Sequence, residues 1–138
     1  MSKYLSVLII FLTFKVYATS NLIEVTIDNL SCLGFEITSL NDNHLIVTFP
    51  SALKNYELTN TLVRYTFLGE DILVVQNRFD STAEKHEVEI SFLQGINNGA
   101  DASLIGYYAS NTKQGSKAYK FPSLAKLVNV KAESCKKL

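Results

Sequence analysis

Acid–base chemistry near neutral pH runs most often on histidine, and this sequence holds two, His44 and His86. His44 borders the stretch Asn41-Asp42-Asn43, and His86 stands among Glu84, Lys85, Glu87 and Glu89. Each reads as an ordinary surface residue. Glu87 and Glu89 are two positions apart, so on a strand they share a side. Paired carboxylates are the tools of glycosidic cleavage, but the same spacing is common on any solvated strand face. The sequence has no GxSxG elbow, no glycine-rich phosphate loop, no HExxH and no paired CxxC. Asn41 to Asn43 and Asn97 to Asp101 carry oxygen ligands of the kind calcium takes, without the DxDxDG order, and read as turns. The expectation is a protein that is not an enzyme and uses neither metal nor cofactor.

Cys32 and Cys135 are the only cysteines. Metal binding by two lone thiols is weak, because a structural zinc site wants four ligands at short paired spacings. A disulfide between them would close a loop of roughly 100 residues, for which loop entropy gives about 4 to 5 kcal/mol. It would clamp the two ends of the chain together.

Binding carries more weight than catalysis. The stretch FPSALK, Phe49 to Lys54, returns as FPSLAK, Phe121 to Lys126, and the two hold both prolines of the chain. Laying Leu33–Lys54 over Ile105–Lys126 sets Gly34 on Gly106, Phe35 on Tyr107 and Phe49 on Phe121. Both segments read as hairpins whose second strand stops at proline, which cannot donate to a ladder. The overlay predicts Tyr107 inside with Phe35 and Tyr108 outside with Glu36. Lys113, Lys117 and Lys120 lie in the same hairpin. Tyrosine offers a large contact area at a small entropy cost, so Tyr108, Lys113, Lys117 and Lys120 form the expected partner-binding patch.

The elements that position these residues are strands. Asn21 to Leu30, Leu33 to Ile37, Leu45 to Phe49 and His86 to Phe92 all alternate apolar with polar. Asn41-Asp42-Asn43 closes one hairpin. Thr61–Leu68 and Asp71–Gln76 form another, with Gly69-Glu70 as a type II′ turn. Gly95–Ala102 reads as a mobile surface loop, and Ala125–Lys131 as a last strand. The pattern predicts an all-β fold, an antiparallel β-sandwich of immunoglobulin-like or similar form; the alternative is a partly open β-barrel.

At the N-terminus, Lys3 precedes an apolar run from Leu5 to Phe14, followed by small residues near Ala18. This is the layout of a secretory signal peptide, giving a signal at residues 1–18 and a single domain over 19–138. The run is shorter than the roughly 20 residues a membrane-spanning helix needs, so no membrane span is expected after cleavage. From residue 19 to 101 there are twelve acidic and four basic residues, and from 102 onward one acidic and seven basic. The chain thus lacks the dominant positive field that nucleic acid requires. The sequence therefore predicts a secreted or periplasmic, non-enzymatic binding module that blocks a protein partner sterically. The alternative is a structural surface or appendage subunit that associates by strand addition through Leu22–Ile27 or another exposed edge.

Overall fold

The computed structural model describes residues 21–80, 82–110, 112, 115–130 and 135. The signal-like segment and Lys113 lie outside them. The fold is all-β, with nine strands in two sheets among the described residues. The larger sheet holds β1 (Asn21–Glu24), β9 (Ser116–Lys120), β8 (Ala100–Ser110) and β5 (Tyr56–Phe67) in that order. On the far side of β5 lie β4 (Ala52–Leu53) near one end and β6 (Glu70–Arg78) along the rest. This sheet curls into a half-barrel. The smaller sheet is β2 (Glu36–Asn41), β3 (His44–Pro50) and β7 (Lys85–Ser91). Pairing is antiparallel throughout, except that β1 runs parallel to β9.

The two proline-bearing stretches sit in opposite halves and meet. The Phe49 and Phe121 rings lie edge to face at 5.4 Å, and Phe35 packs at 5.0–5.4 Å against Phe49, Tyr119 and Phe121. Tyr108 joins through Tyr119 at 5.4 Å. Edge-to-face pairs of this kind contribute about 0.5–1.5 kcal/mol each beyond the area they bury. β3 ends on Pro50, as expected, whereas β9 ends at Lys120, two residues before Pro122.

The first strands do not stay in phase. On β8 the buried residues are Ala100, Ala102, Leu104, Gly106 and Tyr108, so Tyr107 is half-buried on the opposite face and the expected assignment of the two tyrosines is reversed. Glycine is the reason. Gly106 pairs with Tyr119 and lies under Phe49, where a Cβ would come within 2.5 Å of the ring. A bare backbone at that point lets the ring of one hairpin come close against the other.

Other elements also depart from expectation. The first strand ends at Glu24, because Thr26 and Asn29 exchange backbone-to-side-chain hydrogen bonds of 2.7 and 3.2 Å and turn the chain. The second hairpin turns on Leu68-Gly69, both at positive φ (51° and 84°), as a type I′ turn requires. Gly95–Ala102 is a single 3₁₀ turn, Ile96–Asn98, followed by the start of β8. After Pro122 the chain forms a short helix, α1 (Leu124–Leu127), in place of the expected strand. Leu124, Leu127 and Val128 are buried in the core, and the Asp101 carboxylate accepts from the Ala125 amide at 3.0 Å and the Ser123 hydroxyl at 2.6 Å. Helical spacing buries all three apolar side chains at once, which strand alternation does not.

Cys32 and Cys135 form a disulfide with Cα atoms 4.8 Å apart. It joins the turn before β2 to the C-terminal segment.

Gly106→Ala is expected to cost about 2 kcal/mol, the ordinary price of overpacking a filled core, read as a lower urea midpoint with unchanged slope. An unchanged midpoint would show that the Phe49 ring does not need the bare backbone.

Candidate functional site

The expected tyrosine–lysine patch does not assemble. Tyr108 is fully buried, and its hydroxyl donates to the Pro50 carbonyl at 2.8 Å. Inward alternation on β8 puts it there, against the last residue of β3. Lys117 pairs with Tyr108 across the ladder and lays its amine over the Tyr56 ring at 4.4 Å. Lys120 pairs with Ile105 and projects from the opposite face. Two of the expected contacts are therefore on different sides of one sheet, and a third is in the core.

The residues with chemical potential are engaged in structure. His44 Nε2 lies 2.6 Å from the Glu89 carboxylate, across neighbouring strands β3 and β7. His86 packs against the Phe79 ring at 4.6 Å. Asn41 Oδ1 accepts the Asn43 amide at 2.9 Å, and Asn43 Oδ1 accepts the Ile96 amide at 3.0 Å, so this turn pins the segment leading to β8. Among the described residues no group of three or more His, Cys, Asp or Glu is placed to hold a metal.

What the structure brings together instead is apolar. A three-stranded sheet cannot cover the inner face of a six-stranded one, and the uncovered part is β6. In the ladder with β5, Leu73 pairs with Tyr65 and Val75 with Val63, whose side chain is buried. Leu73 and Val75 thus belong to the inner face. Yet Leu73 is 55 % exposed, as are Ile72 (56 %) and Val74 (50 %). Beneath them opens a cleft of about 260 Å³, whose lining includes Tyr65, Ile72, Leu73, Val75, Phe92 and Leu93. Leu93 itself stands almost fully free at the rim. Burial raises the Tyr65 phenol above its usual range, the Ser91 backbone partly offsets this, and Glu89 nearby adds to the rise.

β6 is also an edge. Among the described residues it pairs with β5 alone, so one side of a nine-residue strand is open. Ile72-Leu73-Val74-Val75 is a run of four apolar residues, and a strand with apolar side chains on both faces is either buried on both or waiting for cover, two outcomes the sequence does not separate. Leu22–Ile27, the edge first expected to associate, is strand only as far as Glu24.

Compared with protein-family models, with curated proteins and with solved structures, the chain matches none. The site must therefore be read from its own geometry.

Two buried phenols and a half-buried one give the fold a definite pH response. Burial raises Tyr108 far above the ordinary tyrosine value of about 10, and raises Tyr119 and Tyr65 as well. Above that value the unfolded chain releases these protons first, so the folded state binds more protons and loses stability as pH climbs. The urea midpoint is expected to stay level up to about pH 10 and fall beyond it, less steeply in Tyr108→Phe. An equal slope in that variant would contradict the assignment.

Proposed function

We propose that the protein is an exported, non-enzymatic binding module that takes a protein partner by strand addition at β6. The observation that carries this reading is the open edge of β6, whose apolar run is half-exposed above an apolar cleft. Strand addition supplies main-chain hydrogen bonds for affinity and pockets for alternate side chains for selectivity. β6 offers both, since among the described residues its outer backbone edge has no partner strand and the cleft lies under its inner face. Covering the exposed halves of Ile72, Leu73 and Val74 contributes about 1 kcal/mol apiece. Apolar edges left open are otherwise a hazard that proteins blunt with lysine or proline, and β6 contains neither.

Export is supported by the signal-like N-terminus and by the Cys32–Cys135 disulfide, a bond that persists in oxidising compartments. The bond ties down the ends of the chain, so the module meets its partner with its scaffold already ordered. Partner choice then moves from the tyrosine–lysine patch to the opposite flank of the larger sheet.

Val74→Lys leaves the core untouched and places a charge on the edge. In a pull-down from the native host, read by mass spectrometry, this variant is expected to lose the captured partner, while Lys120→Glu retains it. The reverse pattern would sink the reading.

A further inference from the structure

We propose that the cleft under β6 is a binding site in its own right, for one free alkyl chain of about ten carbons whose head group is uncharged or cationic. The inference goes beyond strand addition, which uses the backbone edge of β6 and not the space beneath it.

Size sets the first condition. A cavity of roughly 150 Å³ lined by aliphatic and aromatic side chains holds one benzene. By proportion, the cleft of about 260 Å³ has room for about ten carbon atoms. Ile72, Leu73 and Val75 form its wall on β6, and Phe92 and Leu93 the wall beyond β7. At this end β8 turns only alanine inward, Ala100 and Ala102, which leaves the space open.

The polar groups around the cleft are already engaged. The Asp101 carboxylate accepts from the Ala102 and Ala125 amides at 2.7 and 3.0 Å and from the Ser123 hydroxyl at 2.6 Å. The Tyr65 phenol is hydrogen-bonded to the Ser91 backbone. Tyr65 and Phe67 pair with the buried Ala102 and Ala100, so Thr66 between them turns to the outer face. Ser91, between the buried Ile90 and Phe92, does the same. A ligand group that needs a hydrogen bond is therefore costly to bury here, and an alkyl chain needs none. Gln94, exposed at the mouth, is the polar side chain left for a head group.

Charge selects the head. Among the described residues no Lys or Arg lines the cleft, whereas Asp101 does. Glu89 lies close enough to act on the Tyr65 phenol, and the bulge at Ile72 turns Glu70 to the inner face with Phe67. A cleft edged by one sign of charge repels a head of that sign.

The test titrates the exported chain, disulfide intact, with hexanol, octanol, decanol and dodecanol, read by methyl NMR. Affinity is expected to rise about fourfold per added methylene as far as decanol, and to level off at dodecanol. Decylamine should bind at least as well as decanol, and decanoate about tenfold more weakly. The shifts should centre on Leu73, Val75 and Leu93 and spare Leu22, which is equally exposed on β1 at the opposite edge of the sheet. Leu73→Glu is expected to weaken decanol binding at least tenfold, and Leu93→Ala, at a side chain almost free of the core, about threefold. Affinity indifferent to chain length, a preference for decanoate, or shifts at Leu22 as large as at Leu73 would overturn the proposal. Phosphatidylcholine vesicles should not bind, since the cleft admits one chain and no bilayer surface; co-sedimentation with them would exclude the free chain as the ligand. Val74→Lys, on the outer face, should leave decanol binding unchanged. If that variant loses its captured partner and the parent chain binds no alcohol, strand addition stands and this inference falls. Alcohol bound by a chain whose capture survives Val74→Lys gives the reverse.

Discussion

A cluster of five aromatic rings fixes how the two sheets face each other. Phe35 and Phe49 come from the smaller sheet and the turn leading into it, and Tyr108, Tyr119 and Phe121 from the larger. All five touch through edge contacts, so a slide of one sheet over the other would break several at once. Gly106 gives Phe49 its seat, and the Tyr108 hydroxyl ties β8 to the end of β3 at Pro50. The cluster holds the smaller sheet over β8 and β9. Among the described residues it leaves β6, on the other flank of β5, without a facing strand. The cleft and the open edge follow from that placement.

The same constraint separates the molecule into a fixed part and an available part. The disulfide, α1 and the Asp101 carboxylate gather the C-terminal segment against β8 and the turn before β2. Polar side chains that a sequence reader would save for chemistry are spent on this scaffold: Asn43 on the segment before β8, His44 on Glu89, Asp101 on α1. What remains uncommitted is apolar backbone edge. That resource suits association, because a strand edge offers hydrogen bonds in a fixed direction and side chains on both faces.

Much of the architecture was legible in period-two alternation, which marks β3 and β7 because one face of each packs into the core. The disulfide was legible because two cysteines in a chain with a signal-like N-terminus have one pairing. β8 misled, since its inner face carries alanine and glycine while its outer face carries Ile105 and Tyr107. The overlay of Tyr107 on Phe35 therefore carried the wrong phase onto β8, and the tyrosine expected at a partner lies in the core. α1 was missed because Val128 and Val130 mimic alternation over too few residues to resolve. β6 was recognised as a strand, but its exposure was not, for a run of four apolar residues reads as deeply buried when nothing shows how many strands the opposite sheet contains. Sheet width is a global property, and no local pattern records it.

Backbone amide exchange on β6 tests most directly whether this flank is an open edge. In the chain without a partner, the amides of Val74, Gln76 and Arg78 should exchange much faster than those of Leu73, Val75 and Asn77, which bond to β5 in the alternation set by the Phe79 amide on the Thr59 carbonyl. Equal protection of both sets would show that β6 is already covered, and would contradict the account.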